Sequence, residues 1–161
     1  MELEAVRRIL EKGNEGDEEG KKKNASTIES LPPKFFESFM LEGVRPELIQ
    51  PGRLLCSFKV PYRLLNAGNS LHGGATATLV DLTGSAAMYT VIGDRPSGVS
   101  VEINVSYLDA AYVDEEIEIE AKVLRVGKAI AVVSIEFRNK ATGKIIAQGR
   151  HTKYLLATSK M

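Results

Sequence analysis

The sequence predicts an α+β fold in which an antiparallel sheet of five to six strands wraps around one long central helix. Residues 71–92 form a long apolar stretch, rich in Ala, Leu and Met, that exceeds the length of a strand and so predicts that helix. After residue 98, apolar and polar residues alternate with period two, and turn signals interrupt the alternation. One long helix followed by hairpin-connected strands is typical of this class.

The N-terminal part of the chain is predicted to lie outside the fold. Residues 1–12 can form a short amphipathic helix, whereas residues 14–26, NEGDEEGKKKNAS, have no apolar period and are typical of a solvated linker. We therefore assign residues 1–27 to an N-terminal helix and charged linker, and residues 28–157 to the folded domain. Residues 158–161 are assigned to a C-terminal tail.

The folded domain is predicted to begin with a short helix over residues 31–41, which the breakers Gly43 and Pro46 follow. Five strands are then predicted, at residues 52–60, 98–108, 117–123, 129–137 and 144–156. In the strand GVSVEINVSYL, the apolar face would hold the odd-numbered residues from 99 to 107. The even-numbered residues from 100 to 106, which include Ser100, would form the polar face.

The composition excludes several classes of protein. Its 21 basic residues balance 21 acidic ones, so the chain lacks the basic excess of a dedicated nucleic-acid-binding protein. Cys56 is the single cysteine, which excludes an internal disulfide, and two histidines are too few for a His/Cys metal site to be expected. No segment has the composition of a membrane span, and the acidic start lacks the apolar core of a secretory signal.

Asp81 is the one formal charge between residues 64 and 93. On a helix, the residues three, four and seven positions away from it are mostly small, which indicates a crevice. Burying an unpaired carboxylate is costly, so this side chain needs a partner or a use. Two interpretations stay open here: a structural aspartate that caps a loop or pairs with an arginine, or a general base that acts on a water molecule.

The sequence His72-Gly73-Gly74 lies where the long helix is expected to begin. Helix N-termini expose unpaired N–H groups with a partial positive charge, and glycine lets a carbonyl oxygen come close to them. Such a turn can act as an oxyanion hole. Two glycines can equally serve only a tight turn and close packing, and His72 can be purely structural.

Three segments together resemble the hotdog-fold acyl-CoA thioesterases, in particular the phenylacetate-pathway and thioesterase-superfamily-member type. They are LHGGATATLVD at 71–81, GVSVEINVSYL at 98–108 and ATGKIIAQGRHTKYL at 141–155. The resemblance covers about residues 60–156 and implies a fold in which the sheet wraps the long helix.

The resemblance also implies roles for residues near the helix start. Asp81 is similar to the family's general base or nucleophile, and Gly73 N–H is similar to its oxyanion donor, with Gly74 beside it in contact with substrate. Asn66 is similar to the asparagine that positions the thioester or the water, and His72 to the histidine that fixes this loop.

A second group of residues follows from the strands. By the same resemblance, Ser100 orients the water from across the dimer interface, and His151 lies near the same site. CoA carries phosphate groups, so basic residues should line its path, and the candidates are Lys128, Arg150 and Lys153.

The expected activity is hydrolysis of an acyl-CoA to a free acid and CoA, without a metal or other cofactor. A role in lipid metabolism would follow. The resemblance implies homodimers, joined through their sheet edges and paired into homotetramers, with active sites at the dimer interface. The alternatives are an acyl-thioester dehydratase or hydratase on the same fold, and a non-catalytic acyl-CoA-binding protein. Ser159-Lys160-Met161 is similar to the peroxisomal signal Ser-Lys-Leu, so the expected location is the peroxisome or the cytoplasm.

Overall fold

The computed structural model describes residues 31–93 and 98–155. The helix and linker expected for residues 1–27 and the tripeptide at 159–161 lie outside the described residues. All the described strands and the long helix belong to one compact unit, which begins at Phe39.

The described elements alternate as the sequence predicts, with one strand more. In chain order they are α1 Phe35–Leu41, β1 Val44–Gln50, β2 Arg53–Lys59, a 3-10 turn Tyr62–Leu64, α2 Gly73–Ile92, β3 Val99–Tyr107, β4 Glu116–Val126, β5 Ile130–Asn139 and β6 Ile145–Tyr154. The strands form one antiparallel sheet in the order β1-β2-β4-β5-β6-β3. The predicted α+β class, with a sheet of five to six strands and one long helix, is confirmed.

The hydrophobic core lies between one face of α2 and the inner face of the sheet. Leu79, Val80 and Met88 of α2 are fully buried, as are Ile119 of β4 and Phe137 of β5. Burial of each such side chain contributes about 1.5–3 kcal/mol. On β4 and β5 the inner residues alternate with half-exposed ones, as the period-two pattern predicts. Within the described residues, no helix has the length and apolar character that crossing a membrane requires.

The sequence does not predict the strand β1, because Gly43 and Pro46 are typical breakers of regular structure. The structure corrects this: Pro46 lies inside β1, opposite Cys56 of β2, and the register shifts between Pro46 and Leu48. Proline cannot donate to a ladder, but β1 is an edge strand with one neighbour, where proline and bulges are tolerated.

The strand β3 forms the other edge of the sheet and has β6 as its one neighbour. Its predicted apolar face is largely uncovered in the single chain: Val101 and Tyr107 are each 56% exposed, and Val99 is exposed as well. Uncovered apolar side chains on an unpaired edge are typical of a surface that another chain covers.

Candidate active site

The helix α2 begins with a histidine cap. The backbone of His72 is extended, with φ −62° and ψ 131°, and its Nδ1 accepts a hydrogen bond of 2.9 Å from the N–H of Gly74. Because Nδ1 is the acceptor, the proton of the neutral ring lies on Nε2. The sequence placed the helix start at residue 71, and the structure places it at Gly73 because His72 caps it.

Gly73 is the first residue of α2, so its N–H has no acceptor within the helix. No other hydrogen bond of this N–H occurs among the described residues. The Gly73 carbonyl accepts a hydrogen bond of 2.8 Å from the Tyr107 hydroxyl, and a Cβ on Gly73 would lie 3.4 Å from the Tyr107 ring. Sequence reasoning missed Tyr107 in this role, because it counted that residue only as part of an apolar face.

A cleft of about 410 Å³ opens beside this helix start. It is lined by Asn66, Ser70, Leu71, Gly73, Tyr107, Leu108, Asp109 and Ala110. The free N–H of Gly73 and the Asn66 side chain therefore border a space large enough for the reacting end of a small acyl group.

Asn66 holds together the loop that precedes α2. Its Oδ1 accepts from the N–H groups of Gly68, at 2.9 Å, and of Ser70, at 3.1 Å, while its Nδ2 donates to Ser70 Oγ at 3.0 Å. This loop is fixed further because Leu71 N–H donates to the Ala111 carbonyl at 2.7 Å. The Nδ2 group keeps a second N–H for another acceptor.

Three side chains from three elements meet halfway along α2. His151 Nε2 of β6 lies 2.8 Å from Ser100 Oγ of β3 and 3.5 Å from Asp81 Oδ1 of α2. His151 is fully buried, whereas the Asp81 side chain is 42% exposed. Asp81 is not tied into an ion pair with an arginine or lysine among the described residues. The carboxylate is thus open to water on one side and in contact with a hydrogen-bonded pair on the other.

Ser100 reaches this cluster because β3 carries a β-bulge. Ser100 lies opposite Lys153 and Glu102 lies opposite Thr152, so Val101 is an extra residue in the strand. The inner residues of β6 are His151 and Lys153, which places Ser100 on the inner face. The expectation that Ser100 shares the polar face of Glu102 is therefore wrong. Bulges often re-aim a side chain beside a functional site.

The His151 ring is oriented by what surrounds its two nitrogens. Nδ1 is buried and has no hydrogen-bond partner among the described residues. A buried N–H without an acceptor is rarer and more costly than an unused lone pair, so the proton belongs on Nε2. With the proton on Nε2, this N–H donates to Ser100 Oγ at 2.8 Å, and the Asp81 carboxylate lies 3.5 Å away on the same side of the ring. Ser100 then keeps its own hydrogen for another acceptor.

Gly84 makes room for this ring. A Cβ on Gly84 would lie 3.1 Å from His151 Nδ1 and 3.2 Å from Ile135 Cδ1, closer than ordinary contacts allow. The sequence did contain this signal, since Gly84 is among the small residues that share the helix face of Asp81.

The pKa of His151 is lowered from its ordinary value. Burial is the main cause, because it disfavours the charged ring, and the positive charge of Lys153 acts in the same direction. The Asp81 carboxylate raises the pKa and so opposes this effect only in part. The ring is therefore a neutral hydrogen-bond donor at neutral pH.

The three basic residues expected to contact CoA lie in different environments. Lys153 is only 6% exposed, and its Nζ lies 3.0 Å from Ser85 Oγ, so little of its side chain is accessible to a ligand. Arg150 is exposed on the outer face, opposite to that of His151. Lys128 is exposed in the β4–β5 turn, beside Arg125 in a cleft of about 410 Å³.

Other chemistries find little support among the described residues. No group of three or more His, Cys, Asp or Glu side chains there could hold a metal ion. Cys56 is buried, and burial raises the pKa of its thiol, which disfavours the thiolate that a nucleophile needs.

Comparisons with known proteins identify the family of the chain. The model of the Thioesterase superfamily matches residues 68–146. Acyl-coenzyme A thioesterase 13 from Homo sapiens is 49% identical over 105 residues, which is 65% of this chain and 74% of the human protein.

Two solved structures resemble the chain over most of their length. Thioesterase superfamily member 2 from Mus musculus is 42% identical, with 76% of this chain and 90% of that chain covered and a TM-score of 0.71. The zebrafish thioesterase superfamily member 2 is 35% identical, with 97% and 99% covered and a TM-score of 0.72. The sequence match and the shared sheet around one long helix establish that the chain belongs to the thioesterase superfamily and has its hotdog fold.

Proposed function

We propose that the protein hydrolyses acyl-CoA thioesters, with Asp81 as the general base. Water adds to the thioester carbonyl, the carbon–sulfur bond breaks, and the products are a free carboxylic acid and the CoA thiol. The substrate class is supported by the human relative, which is named an acyl-coenzyme A thioesterase.

The observation that carries the proposal is the contact of Asp81 with the His151–Ser100 pair. A half-exposed carboxylate can hold a water molecule and take its proton as the oxygen attacks the carbonyl carbon. His151 donates to Ser100, so the serine hydrogen is free to orient that water. When the tetrahedral intermediate collapses, the proton held by Asp81 can pass to the departing sulfur.

The negative charge that develops on the carbonyl oxygen needs a donor. Gly73 N–H is suited to this role, because it lies in the first turn of α2, has no acceptor in the helix and borders the cleft. Tyr107 and the His72 cap hold this turn in place. Asn66 keeps one amide hydrogen for the thioester or the water.

One chain cannot supply both halves of this site to one thioester. Gly73 and Asp81 lie eight residues apart on the same helix, which corresponds to about 12 Å. An oxyanion donor and a base act on neighbouring atoms and must each lie about 3 Å from their targets. We therefore include a second copy in the proposal: Gly73 of one subunit faces Asp81 of the other.

Exposed apolar side chains on β3 and α2 support a surface that would join the two copies. The edge strand β3 carries uncovered apolar side chains, among them Val99 and Val101, and α2 leaves Tyr89 exposed on the face away from the core. Two β3 strands can extend the sheet across the dimer, which removes an unpaired edge. Pairing of two dimers into a tetramer, as the family resemblance implies, completes the proposed assembly.

The CoA end of the substrate would meet basic side chains at the mouth of the site. Lys128 is suited to a phosphate contact because it is exposed and lines, together with Arg125, a second cleft that is separate from the one beside Gly73. The burial of Lys153 and the outward position of Arg150 argue against the same role for those two residues.

Subunit complementation tests the proposal. Asp81→Asn removes the base and should lower the rate of thiol release from acyl-CoA by about 10²–10⁴-fold. Gly73→Pro removes the N–H and should lower that rate by about 10²–10³-fold. Coexpressed chains form mixed dimers in which one site is intact. With random pairing, the mixture should recover about a quarter of the wild-type rate.

Asp114→Asn is the control for Asp81→Asn, because Asp114 is an exposed carboxylate on the loop before β4. It should keep the wild-type rate. Near-normal turnover by the Asp81→Asn variant would reject the general base. Recovery of no activity in the mixed dimers would reject a site shared between subunits, and a wild-type protein inactive on all acyl-CoAs tested would reject the function.

A further inference from the structure

Lys153 is buried, and hydrophobic packing does not explain why a lysine occupies this position. Its side chain points to the inner face of the sheet at 6% exposure, and among the described residues its hydrogen-bond partner is Ser85 Oγ at 3.0 Å. Among the described residues, no carboxylate oxygen lies within ion-pair distance of its Nζ. An ammonium group without a close counterion is costly to place away from water, so its position calls for a reason.

The position of Lys153 relates it to the active site on two elements. It lies two residues from His151 on β6 and directly opposite Ser100 on β3, so all three side chains share the inner face. Its partner Ser85 lies one helical turn after Asp81, on the same face of α2. The pair Lys153–Ser85 therefore runs parallel to the pair His151–Asp81.

Few charged groups surround His151 within the part of the chain that the structure describes. From α2 it faces Asp81, and from its own strand Lys153. The residues opposite it are Ile103 on β3 and Val133 on β5, neither of which ionises. The charge state of the ring is thus decided between one carboxylate, one ammonium and burial.

We propose that Lys153 is a positioning residue for thioester hydrolysis: its ammonium, held on Ser85, supplies the fixed positive charge of the site and leaves His151 as a neutral donor to Ser100. A protonated His151 would instead form an ion pair with Asp81 and occupy the carboxylate that must accept the proton from water. The Lys153 ammonium lies beside Ser85, one turn after Asp81 on α2. It therefore balances the charge of Asp81 without contacting the carboxylate. This inference rests on the proposed function only for its catalytic consequence.

Histidine NMR tests the inference without substrate. The chain has two histidines, His72 and His151, so a His72→Asn variant assigns both ring signals, and asparagine keeps the helix cap. In the wild-type protein at pH 7, the ¹⁵N shifts of His151 should be those of a neutral ring with the proton on Nε2. In Lys153→Met, which replaces the ammonium by an unbranched apolar chain, the titration midpoint of His151 should rise, because no nearby cation then disfavours the charged ring.

The pH dependence of kcat/KM gives a second readout that a purely structural role would not move. Activity requires neutral His151, so the acid limb of the profile should shift upward in Lys153→Met by the same amount as the NMR midpoint. Lys153→Arg keeps the cation and should keep the acid limb in place, even where kcat falls. Lys122→Met removes an exposed lysine of the same sheet and should change neither readout.

The outcomes separate cleanly. A folded Lys153→Met protein with an unchanged His151 midpoint overturns the inference. Where this variant does not fold, the wild-type spectrum decides: a ring that is charged at pH 7, or that carries its proton on Nδ1, overturns it, and a neutral Nε2–H ring supports it. Because the NMR titration needs no turnover, a protein without thioesterase activity would reject the proposed function and leave this result standing.

Discussion

Ser100 lies directly opposite Lys153 in the register of β3 against β6, and its hydroxyl is 2.8 Å from His151 Nε2. Strict alternation would give Ser100 and Ser106 the same environment, since both occupy even positions of the strand. The bulge at Val101 separates them: Ser106 lies opposite Gln148, which is exposed on the outer face. The two serines are therefore a matched pair for testing the role of the inner one.

We expect Ser100→Ala to lower kcat for acyl-CoA hydrolysis by about 10- to 100-fold, the loss expected for one hydrogen bond to a charged or reacting group. Ser106→Ala removes the same atom from the outer face and should leave kcat unchanged. Free-thiol release under saturating substrate measures both, and thermal unfolding should show two equally stable proteins. Equal losses in the two variants would mean that the bulge does not position a functional serine.

The N–H of Gly73 can be removed with little disturbance of the helix. Proline is favoured at the first position of a helix, and the extended backbone of His72 is the conformation that precedes proline. We expect Gly73→Pro to lower kcat by about 10²–10³-fold because the oxyanion loses its donor. Gly73→Ala keeps the N–H, and its Cβ would lie 3.4 Å from Tyr107, so its loss should stay below about tenfold. The same assay on both variants decides, and equal rates would exclude Gly73 N–H as the donor.

The local patterns of the sequence were sufficient for most of the fold. Period-two alternation predicted β4 and β5 because their two faces differ in burial, and the length of the apolar stretch predicted α2. The strand β1 could not be predicted in this way because it is an edge strand. Its residues are exposed or half-buried on both faces, so its sequence shows no alternation of apolar and polar residues.

The sequence predicts which residues form the candidate site but not how their side chains are arranged. Asp81 is recognisable as a lone charge in an apolar helix, but its contact with His151 joins residues 70 positions apart in the chain. The face of Ser100 depends on one extra residue in β3, which a periodic pattern cannot reveal. The burial of Lys153 is not predictable for a related reason, since a lysine is usually exposed and nothing in the sequence indicates its partner Ser85.

Gly84 offers a way to move His151 without replacing it. In Gly84→Ala, the new Cβ would lie 3.1 Å from Nδ1, so the ring must shift and its bond to Ser100 must lengthen. We expect kcat to fall by about tenfold, because the positioning of the ring is lost in part. Stability should change little, since alanine is favoured over glycine inside a helix by about 1 kcal/mol and offsets the strain.

The contrasting variant is Gly149→Ala. Its Cβ would lie 2.7 Å from Val80 Cγ2, in the core and away from the His151 ring nitrogens. It should lower the free energy of unfolding by about 1–3 kcal/mol and leave kcat of the folded protein near the wild-type value. Urea unfolding measures the stability of both glycine variants, and thiol release from acyl-CoA measures their kcat. A Gly84→Ala protein with normal kcat would show that the ring position is not critical.

The buried His151 should make stability depend on pH in a defined window. Its pKa in the folded protein is lowered, first by burial and then by Lys153, relative to about 6.5 in the unfolded chain. Above pH 6.5 the ring is neutral in both the folded and the unfolded state, and its contribution to the free energy of unfolding is fully present. As the pH falls below that value, the unfolded chain binds the proton first, so the free energy of unfolding decreases until the pH has passed the folded pKa.

We therefore expect the stability advantage of the wild type over His151→Gln to shrink between pH 8 and pH 5, measured by urea unfolding at one fixed protein concentration. Asp109→Asn is the control. Its hydrogen bond with Lys144 lowers the pKa of Asp109 below the usual carboxyl range, so that contribution is lost only at more acidic pH. The Asp109→Asn protein should keep the wild-type slope across the window. A constant difference between wild type and His151→Gln from pH 8 to pH 5 would mean that His151 carries the same charge in the folded and unfolded states.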